Sequence, residues 1–201
     1  MKTIIIGGGA AGLFAACTLA RSGAQVTLLE KQNRVGRKLL STGNGRCNLS
    51  NLNASEKGYF GDARYIRTAL KALTPQQAVD FFESIGLICC PDEEGRVYPL
   101  SNQAAGVLDA LRLYADEQGC ETITEFEVKS IVRKKNSFIV EAADGRKLQA
   151  DLYSSPAAAW LPRSWAAAGT AINCWRASVT RSLPASPPSP RSKPTLKPCA
   201  P

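Results

Sequence analysis

The sequence predicts an α/β fold, and three patterns support that prediction. A β-branched run, Lys2–Ile6, precedes a glycine cluster and a helix-like segment, Ala10–Ser22. A second apolar run, Gln25–Glu30, completes a strand–helix–strand unit of about 30 residues, the usual size of a parallel crossover. Later in the chain, strand-like runs separated by turn residues predict an antiparallel β-meander.

Each element of the first unit has its own signal. Lys2–Ile6 is almost continuously apolar, which is typical of a strand covered on both faces. Ala11, Ala15 and Ala16 are small enough to let the following helix pack closely. Gly23 stands just beyond the last turn, where glycine commonly ends a helix. We therefore expect two parallel strands joined by a right-handed crossover.

A helical insertion and the meander follow this unit. Lys31–Asn53 is a polar, glycine-rich loop without a clear period. Thr74 is a predicted N-cap with Pro75 at the first helical position. Asn136 and Gly145 lie in the predicted turns. The predicted helices are Asp62–Leu73, Thr74–Ile85 and Gln103–Gln118, and the predicted extended segments are Arg96–Pro99, Thr122–Arg133, Ser137–Ala142 and Lys147–Leu152.

Gly7, Gly9 and Gly12 match the pattern G-x-G-x-x-G, with Ala10 and Ala11 between the last two. The first glycine permits the tight turn, the second lets a pyrophosphate approach the backbone, and the third lets helix and strand pack closely. Free N–H groups at the start of the helix attract phosphate. Because the pattern follows a strand and opens a helix, it predicts a Rossmann-like dinucleotide site rather than a glycine turn without a ligand.

Glu30 ends the second strand, 18 residues after Gly12. A carboxylate at this place accepts hydrogen bonds from ribose hydroxyls, and its charge disfavours a 2′-phosphate. The position therefore predicts FAD or NAD rather than NADP, and the pattern alone does not separate FAD from NAD.

The stretch Val35–Asn51 contains three glycines and the basic residues Arg37, Lys38 and Arg46. By composition alone, a solvated surface loop is a better interpretation than a loop that wraps a ligand. Its residues VGRKLLSTGNGRCNLSN, however, resemble a G-R-K…G-G-G-R-C-N signature. That signature marks a family of bacterial FAD-dependent flavoproteins, called NAD(P)/FAD-dependent or aminoacetone-oxidase-like oxidoreductases, one branch of which reduces bile-acid intermediates.

Two further stretches resemble the same family, GRVYPLSNQAAGVLDAL at Gly95–Leu111 and the meander at Glu127–Asp151. The resemblance covers about residues 1–152. It implies a bound FAD and a set of residues that contact it. That set is Gly7, Gly9, Ala10, Ala11, Gly12, Glu30, Lys31, Arg37, Lys38, Gly45, Arg46, Cys47, Asn48 and the backbone of Val128.

The seven cysteines do not indicate a metal site, since histidine is absent and no C-x-x-C pair occurs. Cys47 could relay electrons to a flavin, but dithiol reductases carry a second cysteine nearby, and this loop has none. We therefore interpret Cys47 as a small buried side chain, and the adjacent Cys89 and Cys90 as fillers at a strand edge. Thiols without a disulfide framework favour a reducing, cytoplasmic location.

Basic charge is concentrated at the C-terminus. Residues 1–152 carry 19 lysines and arginines and all 17 acidic residues, whereas residues 153–201 carry six basic residues and no acidic one. The main part of the chain is therefore nearly neutral, which argues against a nucleic-acid partner. No apolar run is long enough to span a bilayer, and three glycines interrupt the apolar start, so we expect neither a membrane anchor nor a signal peptide.

Residues 153–201 lack the family pattern and hold all three tryptophans and nine of the twelve prolines. Shifting the reading frame by one base allows family-like residues in family order, for example D-G-Y followed by A-R-F-G-H. We therefore expect a frameshift near residues 152–154, which would leave a partial FAD-binding domain at 1–152 and an irregular, out-of-frame tail. The alternative is a disordered, proline-rich tail that binds a partner.

The predicted function is FAD-dependent oxidoreduction of a small molecule, with hydride passing through the flavin and NAD(P)H as a possible electron donor. No residue stands out as a catalytic acid or base. A truncated chain would retain little activity. Two alternatives stay open: a non-catalytic module that binds NAD or FAD, and an inactive product of a frameshifted gene.

Overall fold

The computed structural model describes residues 1–60 and 63–155, and the chain divides into two compact units. The first comprises Met1–Lys38 and the described residues from 111 onward, and the second comprises Leu39–Ala110. The tail predicted for residues 153–201 lies almost entirely outside the described residues. Each unit has its own sheets.

The described strands are β1 (Lys2–Ile6), β2 (Gln25–Leu29), β3 (Ser50–Asn51), β4 (Cys89–Pro91), β5 (Arg96–Pro99), β6 (Glu121–Ile123), β7 (Val128–Lys134), β8 (Ser137–Ala142), β9 (Lys147–Ala150) and β10 (Leu152–Ser154). The described α-helices are α1 (Ala10–Arg21), α2 (Ala63–Ala72), α3 (Pro75–Ser84) and α4 (Ala104–Glu117). A 3₁₀ segment spans Leu39–Gly45, and another spans Glu56–Gly58.

The first unit contains a parallel sheet in the order β10-β1-β2-β6 and an antiparallel sheet in the order β7-β8-β9. This arrangement confirms the predicted α/β, Rossmann-like fold and its β-meander. Thr3, Ile4 and Ile5 are buried in succession, as expected for a central parallel strand covered on both faces. An apolar cluster containing Ile4, Leu29, Phe126, Phe138, Val140 and Tyr153 is shared by strands of both sheets.

Helix α1 buries a stripe of mostly small residues, namely Gly12, Leu13, Ala16, Cys17 and Ala20. Small side chains bring a helix axis close to a sheet. Of the three alanines predicted to allow this approach, Ala16 lies in the stripe, Ala15 is half-buried and Ala11 is exposed. The thiol of Cys17 donates a hydrogen bond to the Leu111 carbonyl over 3.3 Å.

Two predicted strands are wrong as single elements. Thr122–Arg133 divides into β6, which pairs with β2, and β7, which pairs with β8. Between them Glu125 has a φ of 53°, and the Phe126 N–H donates to the Glu30 carbonyl over 2.9 Å. The chain therefore stays attached to the segment after β2 while it turns from one sheet to the other.

Lys147–Leu152 is also two strands, because β9 belongs to the meander and β10 joins the parallel sheet beside β1. The break falls at Asp151. Its N–H donates to the Lys2 carbonyl over 3.0 Å, and its carboxylate accepts from the Lys2 N–H over 2.8 Å. This reciprocal pair of hydrogen bonds aligns the start of β10 with β1.

The second unit combines helices with a small antiparallel sheet in the order β3-β5-β4. The predicted N-cap of α3 is confirmed. Thr74 Oγ1 accepts from the Gln77 N–H over 3.2 Å, Gln77 Oε1 accepts from the Thr74 N–H over 2.8 Å, and Pro75 occupies the first turn. Cys89 is buried at the edge of the sheet, as its predicted role as a filler requires.

Buried thiols make stability sensitive to alkaline pH. Burial raises the pKa of Cys17 to about 12, with a smaller contribution from Cys120, whose own pKa burial raises to about 11. A thiol whose pKa is higher in the folded chain stabilises that chain fully below the unfolded pKa near 8.5, and this stability is lost as pH rises toward the folded pKa. We expect each such thiol to lower the free energy of unfolding by about 1 kcal/mol per pH unit between pH 9 and 11.

Urea unfolding at several pH values measures this slope, and Cys17→Ala separates the thiol from other titrating groups. The variant starts from a lower stability, but its curve should be flatter than that of the wild type. Equal slopes in the two proteins would mean that the Cys17 thiol does not couple folding to pH.

Candidate dinucleotide site

The site is built around the turn between β1 and α1. Gly7 has a φ of 105°, a conformation that favours glycine, and its N–H donates to the Leu29 carbonyl of β2 over 2.7 Å. The turn is therefore fixed to the ends of both parallel strands. It lies at their carboxyl edge, where ligands bind in open α/β sheets.

Gly12 and Gly9 do different work in this turn. A Cβ atom at Gly12 would lie 1.9 Å from the Gly7 carbonyl oxygen, so only glycine allows α1 to approach β1 this closely. A Cβ atom at Gly9 would meet no atom within 4 Å. The space above Gly9 is open, as it must be for a phosphate group to approach the backbone.

The first turn of α1 offers N–H groups to an anion. Gly9 is the N-cap and has no side chain to satisfy them, and the first helical hydrogen bond runs from the Leu13 N–H to the Gly9 carbonyl over 2.9 Å. Ala10, Ala11 and Gly12 therefore have no acceptor within the helix for their N–H groups. With the positive end of the helix dipole, they form a seat for a phosphate.

The Glu30 carboxylate is held beside this seat. Its Oε2 accepts from the Gly8 N–H over 2.7 Å and its Oε1 accepts from the Gln32 N–H over 2.9 Å. An ionised carboxylate has about four acceptor positions, so these two donors leave capacity for ribose hydroxyls. Glu30 is partly buried, and these two backbone donors hold its carboxylate in position.

An open cleft of about 540 Å³ continues from the end of β2. It contains the predicted contacts Lys31 and Arg37, and Arg37 Nη1 donates to Gln32 Oε1 over 3.2 Å. The complete lining is Lys31, Gln32, Asn33, Arg37, Glu125, Glu127, Ala143 and Asp144. The cleft thus contains both cationic side chains and carboxylates. The pKa of the Asp144 carboxyl lies below its usual range, mainly because it accepts a hydrogen bond from the backbone N–H of Arg146 and also because the Arg146 side chain donates to it.

Val128, another predicted contact, is the first residue of β7 and pairs with Ala142. Lys38 ends the first unit. The remaining predicted contacts, Gly45, Arg46, Cys47 and Asn48, belong to the second unit. There they form a tight loop in which the Cys47 N–H donates to the Thr42 carbonyl over 3.0 Å.

Cys47 is buried, at 6% exposure, and burial raises the pKa of its thiol. A protonated thiol is a poor nucleophile and a poor partner for disulfide exchange. These properties favour the interpretation of Cys47 as a packing residue over the redox alternative.

Sequence reasoning missed Gly8 and most of the cleft. A Cβ atom at Gly8 would lie 2.5 Å from Val35 Cγ1, and its N–H holds Glu30, so the middle glycine of the triplet also has a purpose. The run of three glycines was a signal for it. Glu125 and Glu127 had no such signal, because only the break between β6 and β7 brings them beside Lys31.

Residues 1–60 and 63–155 contain neither a candidate metal site nor a membrane-spanning helix. No cluster of three or more histidine, cysteine, aspartate or glutamate residues there could hold a metal ion. None of the helices in that part of the chain is long and apolar enough to cross a membrane.

Comparison with known proteins identifies the family of the chain. The profile of the HI0933-like protein Rossmann domain matches residues 1–159. Over 150 residues the chain is 39% identical to the 3-dehydro-bile acid delta(4,6)-reductase of Clostridium scindens, covering 73% of this chain and 36% of that protein. Over 136 residues it is 30% identical to the ribosomal RNA dihydrouridine synthase of Haemophilus influenzae, covering 67% of this chain and 34% of that protein.

Among solved structures, the 3-ketosteroid-delta4-(5alpha)-dehydrogenase of Rhodococcus jostii RHA1 aligns with a TM-score of 0.56 at 15% identity. The alignment covers 76% of this chain and 44% of that one and concerns the fold alone. The chain spans about a third of the length of the curated relatives it matches. The family resemblance expected from the GRK and GRCN stretches is confirmed, and the chain belongs to the HI0933-like FAD-binding Rossmann family.

Proposed function

We propose that this chain supplies the adenine-nucleotide half of the FAD site of an oxidoreductase. The observation that carries the proposal is the pairing of an open helix start above Gly9 with a fixed carboxylate at Glu30. The helix start suits a diphosphate, and the carboxylate suits a ribose. In a dinucleotide the diphosphate is bonded directly to the ribose, and the two features lie side by side in the same way.

Each predicted residue has a role in this proposal. The N–H groups of Ala10 and Ala11 hold the diphosphate, Gly9 gives it room, and Glu30 holds the ribose. Lys31 and Arg37 hold the adenosine end in the cleft that they line. The backbone of Val128, Lys38, and the loop Gly45–Asn48 complete the contacts that the family implies. When bound, FAD supplies hydride transfer through its isoalloxazine ring.

The reaction partner in this proposal is a small organic molecule, with NAD(P)H as a possible electron donor. The relative named as a bile-acid reductase favours a small substrate, whereas the relative named as a ribosomal RNA dihydrouridine synthase raises RNA as a second class. Residues 1–152 are close to charge balance, with 19 basic and 17 acidic residues, and RNA-binding surfaces are usually strongly basic. Charge therefore favours the small molecule.

We further propose that residues 1–152 are a partial FAD-binding domain and that the chain is translated out of frame after a shift near residues 152–154. On this proposal the chain alone binds FAD through the adenylate side and turns over little substrate. The alternative is a non-catalytic module that binds FAD or NAD. Adding NAD(P)H to the FAD complex distinguishes an enzyme from such a module. Reduction of the flavin followed by reoxidation with an acceptor would favour the enzyme. The coding DNA around codon 153 decides between a frameshift and an evolved tail.

Titration of the purified 201-residue chain with FAD, followed by flavin fluorescence, tests the proposal. Gly9→Val should weaken FAD binding by at least about tenfold, because its side chain fills the space that the diphosphate needs. Folding should be preserved, since Gly9 has a φ of −78° and open surroundings.

Gly58→Val is a matched control, because Gly58 also has open surroundings and lies outside the predicted contacts. It should bind FAD as the wild type does. Wild-type affinity in Gly9→Val, or preference of the wild type for NAD over FAD, would contradict the proposed site.

A further inference from the structure

The loop that the family resemblance assigns to the flavin has an unusual backbone. Gly43, Asn44, Gly45 and Cys47 all have positive φ values, of 55°, 55°, 82° and 62°. Asn44 and Cys47 adopt this conformation at a cost in free energy, because positive φ values are unfavourable for residues other than glycine. Such a loop keeps its conformation only when contacts with neighbouring residues stabilise it.

The support comes from β5, the middle strand of the three-stranded sheet. Directly after the loop, the Leu49 N–H donates to the Val97 carbonyl over 2.8 Å. The next residue, Ser50 of β3, pairs with Val97 of β5. Tyr98 follows Val97 and is 8% exposed. A Cβ atom on Gly43 would lie 3.5 Å from Tyr98 Cε1, so the ring lies directly against the loop.

The same ring carries Arg46. The guanidinium carbon lies 4.5 Å from the centroid of the Tyr98 ring, within the range of a cation–π contact. Arg46 is exposed, and within the part of the chain that the structure describes no carboxylate pairs with it. Other arginines of the same unit do have such partners, as Arg67 has Glu56 and Arg96 has Asp92.

An exposed arginine loses considerable side-chain freedom when it is fixed, so a fixed and unpaired guanidinium is suited to an incoming anion. We propose that Tyr98 is a positioning residue, whose ring holds the Arg46 guanidinium in the orientation in which it meets an anionic part of the FAD. This inference rests on the proposed function and goes beyond it, because it gives a role in the cofactor site to a residue of the GRVYP stretch.

The stack itself can be observed without cofactor. In the ligand-free chain, the ring current of Tyr98 should shift the Arg46 side-chain proton resonances upfield. Tyr98→Phe keeps a ring and should keep the shift, whereas Tyr98→Leu should abolish it. Arg46→Lys identifies the resonances. Absence of the shift in the wild type would overturn the inference.

FAD titration then measures the consequence. Tyr98→Leu should weaken binding by roughly two- to fivefold, the value of an exposed cation–π contact, whereas Tyr98→Phe should bind like the wild type. Arg46→Gln should weaken binding at least as much. If the ring acts through Arg46, the double variant Tyr98→Leu/Arg46→Gln should bind no more weakly than Arg46→Gln alone.

Tyr98 is buried, so Tyr98→Leu can fail to fold, and Arg46→Lys provides a second test that leaves the core unchanged. Lysine keeps the charge but has no planar group to stack, so binding should weaken if the stack matters and stay at the wild-type value if charge alone matters. Wild-type affinity in Arg46→Lys, or equal affinities of Tyr98→Phe and a folded Tyr98→Leu, would overturn this inference but not the proposed function. A wild type that binds no FAD would overturn the proposed function and this role with it, although the upfield shift would remain.

Discussion

Replacing Gly12 by alanine is expected to lower the free energy of unfolding by on the order of 3 kcal/mol. The new methyl group would lie 1.9 Å from the Gly7 carbonyl oxygen, which belongs to the backbone and is held between β1 and α1. The helix must move away from the sheet, and its buried stripe, which includes Leu13 and Cys17, loses contacts. Urea unfolding followed by circular dichroism measures the change.

Gly9→Ala is the control for this prediction, because the same methyl group enters open space three residues earlier. Its stability should lie within about 1 kcal/mol of the wild-type value, since alanine is a poorer N-cap than glycine. A Gly12→Ala protein as stable as Gly9→Ala would mean that α1 does not depend on its close approach to β1.

Replacing Glu30 by alanine is expected to affect both stability and FAD binding. The Gly8 and Gln32 N–H groups would lose a charged acceptor in a partly buried place, which costs about 2–4 kcal/mol of stability. FAD binding should weaken on the order of 100-fold, because the ribose hydroxyls lose the same acceptor. Unfolding curves and fluorescence titration of the same samples separate the two effects.

Two variants sharpen this test. Glu30→Gln keeps one acceptor oxygen and places an amide NH₂ against a backbone donor, so both effects should be intermediate. Glu121→Ala removes a glutamate of the neighbouring strand that accepts only a 3.3 Å hydrogen bond from Thr27, and it should bind FAD normally. If Glu30→Ala bound FAD as tightly as Glu121→Ala, the ribose role of Glu30 would be wrong.

The sequence was sufficient for elements whose signals are local. The run Lys2–Ile6, the stripe of alanines and Gly23 predicted β1 and α1 almost to their bounds, and Thr74 with Pro75 predicted the start of α3. Both strand errors occurred where one apolar run passes from the parallel sheet to the meander, or back. A change of sheet depends on the hydrogen bonds of Asp151 and Phe126 to distant residues, and apolar periodicity does not contain that information.

The candidate site divides along the same line. Gly9, Gly12 and Glu30 were predictable because the spacing of a βαβ unit fixes their places. The cleft carboxylates Glu125 and Glu127 were not predictable, because they are more than 90 positions away from Lys31 in the sequence and only the fold brings them close to it. Tyr98 lies between these cases, since its stretch resembled the family but its contact with Arg46 needed the sheet.

Strand β10 has a consequence that reaches beyond its three residues. The chain goes from β1 to β2 on one side, and after the second unit and the meander it returns to place β10 on the other side of β1. The strand order thus reverses at β1, which makes its carboxyl end a topological switch point, where neighbouring connections diverge and leave a crevice. The winding of the chain therefore provides a place for a ligand at this point, and in the proposed function the glycines and Glu30 determine which ligand fits it.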